Sequence, residues 1–246
     1  MLELFVPVSD EGPRAVEREE GLSILASRGW LADTPPEFRK RFLSGARWRS
    51  VDRGVTVTLG GEEEDDVIGL ADGTVAISST LGEAGTPTMH MGHSVFWMGY
   101  GPLLLGRPRD VTVVARTHLW IAVIPKARIL PLLDETTRWW RCFMRLLAEY
   151  GDISAMIASD LLIRQSDRRL AATILRFAGL RGRYADRAEQ LRLEVTQSEL
   201  AEATNLSRNA TGAILRKLAA KGYIKTDYRG IVVCAPSSLQ QLVDEG

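Results

Sequence analysis

The 246-residue chain is predicted to be an α+β protein with strands first and helices last, on three observations. Between Ala46 and Ile124, short β-branched runs recur at about 8–12-residue spacing, with Gly-Gly, Asp-Gly and acidic turns between them, as in a sandwich or jelly roll. From Asp134 to Arg164, apolar residues keep a helical period for about thirty residues, longer than an ordinary globular helix. From Val195 to Lys221, two helix starts flank a short turn, and a strand–turn–strand pattern follows.

The length allows two domains with real cores. Lys+Arg and Asp+Glu both total 31, so the molecule is neutral overall. The neutrality hides an asymmetry: Arg164 to Gly230 holds 14 Lys/Arg against 7 Asp/Glu, leaving 17 and 24 elsewhere (31−14 and 31−7). A basic C-terminal part suits phosphate contacts at one end. The opening MLELFVPVSDEG has no basic region followed by an apolar one, and no apolar run reaches the ~18 residues of a membrane span, so a cytoplasmic protein is expected. Cys142 and Cys234 are too few for a disulfide framework or a four-thiolate iron–sulfur centre.

In chain order, Gly21 to Leu43 reads as two or three short helices, with Pro36 well placed at a helix start. Strand-like runs follow at Trp48–Val51, Val55–Leu59, Val67–Leu70, Val75–Ile77, Thr86–Met91, Ser94–Trp97, Asp110–Arg116 and Leu119–Ile124. On the long helix, Trp140, Phe143, Leu147, Tyr150, Ser154, Ile157 and Leu161 form one stripe. Trp139, Cys142, Leu146, Ile153, Met156 and Ile163 form a second beside it. Two apolar faces imply two partners: the first stripe is assigned to a dimer seam with a second copy, the other face to the strands. A helix buried in one large core is the alternative. The expected domains are 1–133, the strand-rich unit; 134–165, the long helix; and 166–246, the helical unit.

Asp167 to Leu180 reads as the first helix of the C-terminal unit, and Gln190 to Val195 as a short strand. Thr196-Gln197-Ser198-Glu199 fits a capping box. Asn205-Leu206 then breaks the helix, and Ser207 offers its hydroxyl to the next one. At roughly 100° per residue, Ala210, Ile214 and Leu218 fall inward, while Arg208, Asn209, Gly212, Ala213 and Arg216 fall outward. Lys221-Gly222 ends the helix, Ile224 to Val233 reads as a wing, and Ser237 to Val243 as a last helical turn. Two helices joined this way place side chains against base edges in a major groove, although any core can hold a helical hairpin.

Val195, Thr196, Glu199, Leu200, Ala201, Leu206, Ser207, Arg208, Gly212, Leu215, Leu218, Gly222 and Ile224 carry a pattern that resembles the winged helix-turn-helix of the Crp/Fnr family of bacterial transcription regulators. The resemblance implies an N-terminal β-roll (jelly-roll) sensor of the cyclic-nucleotide-binding type, a long dimerisation helix and a C-terminal DNA-binding domain. Ala71-Asp72-Gly73-Thr74-Val75 stands in the place of a family turn, and Gly99 to Asp110 in that of the family's phosphate-binding cassette. Gly99 and Arg109 fit that cassette. Tyr100 replaces the Glu that holds a ribose hydroxyl, and Asp110 replaces the Ser or Thr that helps hold the phosphate. A carboxylate beside an anion opposes binding. Met156-Ile157, where the relatives use Thr-Ser to reach the base, offer no hydroxyl. No cyclic AMP is therefore expected at this degenerate pocket, which is either vacant or reshaped so that the β-roll senses another small ligand, and no cofactor is assigned.

The implied function is a homodimer on a near-palindromic operator, with RNA polymerase as a further partner if the protein is an activator. Arg208 is the candidate for a bidentate contact to guanine, and Asn209 can pair with adenine. Thr196, Gln197, Ser198, Arg216, Lys225 and Arg229 are candidates for phosphate contacts, with Ser207 and Gly212 completing the DNA-facing set. Two other readings stand beside it. His90, His93, His118 and Cys142 are the candidates for haem or metal ligands of a gas sensor, but their spacing gives no third ligand nearby. A dimeric scaffold whose winged helix binds protein is the other. No G-x-S-x-G, H-E-x-x-H or P-loop points to an enzyme.

Overall fold

A computed structural model describes residues 15–64, 66–79, 87–181, 191–227 and 230–245. Three helices come first, α1 (Ala15–Ser27), α2 (Gly29–Ala32) and α3 (Pro36–Ser44). Strands β1 (Arg47–Val51), β2 (Thr56–Thr58), β3 (Val67–Asp72), β4 (Val75–Ser79), β5 (Thr88–Gly92) and β6 (Trp97–Met98) follow. After α4 (Tyr100–Leu105) come β7 (Val111–Ala115) and β8 (Leu119–Ile124). The strands form two four-stranded antiparallel sheets, ordered β1-β8-β3-β6 and β2-β7-β4-β5. Ile68, Leu70, Val75, Ile77, Val113 and Ile121 fill the space between them, the inward half of the alternation read from the sequence. The turn at Gly73 needs glycine twice over: its φ is +103°, and a Cβ would lie 2.6 Å from the His118 carbonyl oxygen.

A second core closes the end of this roll. Trp30 meets Phe42, Trp97 and Phe143 edge-on, at centroid separations of 5.5, 5.8 and 5.9 Å. Phe143 belongs to the long helix, so the aromatic cluster fixes that helix to the roll. The helix is interrupted once: α5 (Lys126–Asp134) ends before Thr136, whose side chain caps α6 (Thr137–Leu162).

The dimer stripe assigned from sequence needs correction. Phe143 is fully buried in the aromatic core, Tyr150 exchanges hydrogen bonds with the Trp97 backbone, and Trp140 and Leu147 are half-buried against the same core. Ile157 is also half-buried, which leaves only Ser154 and Leu161 exposed. The reason is geometric. Stripes made of sequence neighbours such as Trp139/Trp140 and Cys142/Phe143 lie about 100° apart, so both fall within one broad inward face.

The C-terminal part comprises α7 (Ser166–Phe177), β9 (Leu191–Leu193), α8 (Gln197–Ala203), α9 (Arg208–Ala220), β10 (Ile224–Thr226), β11 (Ile231–Val233) and α10 (Pro236–Asp244). Its sheet runs β10-β11-β9, so the wing hairpin is completed by the strand that precedes α8. Gln190 lies outside the described residues. The last helical turn is a nine-residue helix whose Leu239 and Val243 are buried, and Arg168 of α7 donates to the Val243 carbonyl. Leu170, Ile174, Phe177, Leu200, Leu215 and Leu218 form the core of this part.

Roll and C-terminal part are joined by polar contacts. Asp160 at the end of α6 accepts from Arg176 Nε at 2.8 Å and from Arg181, and Arg176 Nη1 donates to the Met89 carbonyl of β5 at 2.6 Å. His93 Nε2 donates to the Phe177 carbonyl at 2.6 Å. Arg116 pairs with Glu199 of α8, and Arg53 with Glu194 at 3.0 Å.

Candidate nucleic-acid interface

Thr196 caps α8 as the sequence pattern requires: its hydroxyl accepts from the Glu199 amide at 3.2 Å, and the Glu199 carboxylate accepts from the Thr196 amide at 2.8 Å. The chain then turns through Asn205, whose φ of +51° is one Asn tolerates better than most residues. Ser207 restarts the helix by accepting from the Ala210 amide at 3.2 Å.

On α9 the buried side is Thr211, Gly212, Leu215 and Leu218, with Ala210 and Ile214 half-buried. Ser207, Arg208, Asn209, Ala213 and Arg216 are exposed. Gly212 therefore does not belong to the outward set. A Cβ there would sit 2.5 Å from Gln197 Nε2, so this glycine is the point of close approach between α8 and α9. Gln197 donates from the same nitrogen to the Arg208 carbonyl at 2.5 Å. Its amide thus sets the crossing of the two helices, a role the sequence reading missed. Helical periodicity alone could not separate the two sides at Gly212, because glycine carries no hydropathy signal.

Of the remaining candidates, Thr196 is exposed with its hydroxyl engaged by Glu199, and Ser198 is half-buried. Lys225 is exposed on β10, while Arg229 lies outside the described residues. The surface thus gathers Arg208, Asn209, Ala213 and Arg216 on one helix, with the wing beside it.

The cassette residues also come together. Gly99 has a φ of +90°, and a Cβ on it would meet the Asp66 carbonyl oxygen at 2.1 Å, so only glycine fits at the start of α4. Arg109 is buried and turns toward the Asp66 carbonyl at 3.4 Å and the Glu64 carboxylate at 3.8 Å. Asp110 is held by Arg107 at 2.6 Å. The Tyr100 ring stacks on Tyr150 with centroids 4.7 Å apart, and burial pushes both phenols above their ordinary range. Met156 is not part of this group. It lines a separate cavity of about 570 Å³ between the roll, α6 and α7, together with His90 and Arg176. Ile157 is half-buried on α6 and does not line that cavity.

Both nitrogens of His93 are occupied, Nδ1 facing the Thr74 hydroxyl at 3.3 Å and Nε2 on Phe177. Cys142 lies in the aromatic core and His118 is exposed. Among the described residues, no group of three or more His, Cys, Asp or Glu side chains could hold a metal ion, and no helix is long and apolar enough to cross a membrane.

Residues 168–242 match the family model described as the Crp-like helix-turn-helix domain. Solved structures of similar fold include FixK2 from Bradyrhizobium japonicum, with TM-score 0.66 and 14% identity, covering 80% of this chain and 96% of that one. A CRP/FNR-family transcriptional regulator from Thermus thermophilus gives 0.59 and 21%, covering 80% and 98%. The c-di-GMP responsive global regulator CLP from Xanthomonas campestris gives 0.60 and 20%, covering 81% and 99%. No curated protein sequence matches the chain. The C-terminal segment is thus a Crp-like helix-turn-helix domain, carried on a chain with the fold of the CRP/FNR regulators.

Proposed function

We propose that the protein is a transcription regulator that binds duplex DNA as a homodimer on a near-palindromic operator. The observation that carries this reading is the exposed row of Arg208, Asn209, Ala213 and Arg216 on a helix whose other side is buried. The N-terminal turn of α9 enters the major groove, where Arg208 reads guanine and Asn209 adenine. Thr196, Gln197, Ser198, Arg216, Lys225 and Arg229 hold phosphates and fix the register. An activator of this kind would also touch RNA polymerase.

A dimer seam is available on the outer face of α6. Met144, Ala148, Gly151, Ala155, Ala158 and Leu162 follow a 4-3-4-3-4 spacing, all are exposed, and Met144 and Leu162 are large apolar residues 55% and 81% exposed. That is the a/d repeat of a two-helix coil. Small residues in the middle let the two backbones approach closely.

The sensor pocket of the reading takes no cyclic AMP. Supporting this, Glu64 stands beside Arg109, and Tyr100 and Tyr150 stack against each other at α4. Titration calorimetry tests it: heats with cyclic AMP indistinguishable from dilution are expected, and micromolar binding lost in Arg109→Ala would refute it. The DNA reading is tested by enriching duplexes from a random pool at low salt. The expected product is a near-palindrome with half-sites about one helical turn apart; a pool that stays random, with no shift in fluorescence anisotropy on any duplex, would overturn the proposal.

A further inference from the structure

Two turns at one end of the roll reach the segment that the DNA reading assigns to phosphate contacts. The β7–β8 turn presents Arg116 and the β1–β2 turn presents Arg53. The two turns are neighbours: the Gly54 amide donates to the Ala115 carbonyl at 2.8 Å, and the Ala115 amide to the Val55 carbonyl at 2.9 Å. The β7–β8 turn is also tied to the β3–β4 turn. There the Arg116 amide donates to the Thr74 carbonyl at 2.8 Å, and the Thr74 amide to the Thr117 hydroxyl at 2.9 Å. Both arginines therefore stand on a platform fixed by hydrogen bonds of the backbone.

Their partners are Glu199 and Glu194, the carboxylates that bracket Thr196, Gln197 and Ser198. Glu199 has two tasks. One oxygen accepts from the Thr196 amide and hydroxyl, each at 2.8 Å, and closes the capping box; the other accepts from Arg116. Among the described residues, Arg116 is the cation paired with Glu199. Glu194 has two cations, Arg53 at 3.0 Å and Arg192 at 2.9 Å. The capping box thus fixes a carboxylate at the N-terminus of α8, about one helical turn from any phosphate that Thr196, Gln197 and Ser198 hold. Uncompensated, a like charge that close opposes the phosphate by about fivefold in affinity at the effective dielectric of a protein surface.

We infer that Arg116 is a positioning residue for DNA binding, supplied by the sensor half: it cancels the charge of Glu199 while leaving the carboxylate in place as a cap, and Arg53 assists at Glu194. The inference rests on the reading of Thr196 to Ser198 as phosphate contacts. It makes the DNA affinity of the C-terminal part depend on its docking against the roll, so a shift of the roll changes affinity without touching α9.

Fluorescence anisotropy of the full chain on the operator selected from the random pool tests this, beginning with the native protein. Arg116→Gln should bind about fivefold more weakly at low salt, with the deficit shrinking as screening increases. Arg116→Lys, which keeps the charge, should stay within about twofold of the native chain, as should Arg53→Gln, because Glu194 keeps Arg192. The deciding variant is Arg116→Gln/Glu199→Gln. Glutamine at this position still caps Thr196, so removing the stranded charge should restore affinity to within about twofold of native. A residue that merely tethers the roll would leave the double variant as weak as the single one. Circular dichroism and the melting temperature show that each variant is folded. Native affinity in Arg116→Gln, no recovery in the double variant, or an Arg116→Lys chain as weak as Arg116→Gln would each overturn the inference while leaving the DNA reading intact. A native chain that binds no duplex would overturn both.

Discussion

Single residues decide how the two helices of the helix-turn-helix meet. Gly212 leaves room for the Gln197 amide, which holds the Arg208 carbonyl. Gly212→Ala should gain about 1 kcal/mol of helix propensity and lose about as much through the displaced hydrogen bond, so urea unfolding should show little net change. Anisotropy with the selected operator should nonetheless show weaker binding, because the first turn of α9 shifts. Wild-type affinity would mean that Gln197 does not set the helix crossing. Glu149 gives a pH signature. Its folded pKa of about 7 lies above its ordinary value of 4.5, so the stability it contributes is present below pH 4.5 and is lost as pH rises toward 7. His90 has the opposite sign: its folded value of about 3 lies below 6.5, so its contribution is present above pH 6.5 and is lost as pH falls toward 3. Glu149→Gln should raise stability at pH 8 by about 2 kcal/mol and leave it nearly unchanged at pH 4, as read from denaturant midpoints. Equal effects at the two pH values would rule out a raised carboxyl. Neither group was legible in the sequence, since burial without a partner is a property of the folded surroundings. The caps at Thr196 and Ser207 were legible, because a capping box is a local pattern of hydroxyl and carboxylate three residues apart.

Elements were readable to the extent that hydrophobic period alone determines them. Most strand runs, the long helix and the helix–turn–helix with its wing lie where alternation, helical period and turn residues place them, but Ser94–Phe96, read as strand, is a turn before the two-residue β6, and Asp134, read as the start of the long helix, ends α5. The side that each helix presents was less readable. On α6 the aromatic residues, Leu146 and Leu147 bind the chain's own roll, and the outward row from Met144 to Leu162 carries only Ala and Gly between its two ends, which hydropathy barely registers. Ala155→Glu, placed in mid-seam and far from the aromatic core, should therefore convert a dimer to a monomer in analytical ultracentrifugation while leaving the fold intact. A dimer that survives it would locate the interface elsewhere. On α9 the same reasoning separates specificity from attraction. Arg208→Ala should cost about 1–3 kcal/mol on the operator and relax preference at one base, while Lys225→Ala should weaken all duplexes alike and flatten the salt dependence. An Arg208 variant with unchanged preference would mean that α9 presents a different side to DNA.

At the scale of the molecule, the roll and the helix-turn-helix part are not separate beads. The Asp160 carboxylate is 1% exposed and binds Arg176, itself 1% exposed, whose other donor reaches Met89 in the roll. Met91 of β5 lies in the same core as Leu170 and Phe177 of α7. This joint was invisible in sequence: Asp160 and Arg176 are sixteen residues apart across a helix break, and no periodicity couples them. A buried charge whose partner is removed costs about 3–5 kcal/mol, more than the pair contributes when intact. Asp160→Ala leaves both Arg176 and Arg181 without their carboxylate, so the loss should fall on the contact between the two halves rather than on either core. Differential scanning calorimetry is expected to show one transition for the native chain and two for Asp160→Ala, the C-terminal part melting first because its core is the smaller. A single transition shifted as a whole would show instead that the shared apolar contact at Met91 couples the halves without the charged joint. Asp160→Asn, which keeps an acceptor for Arg176 but loses the charge, should fall between the two.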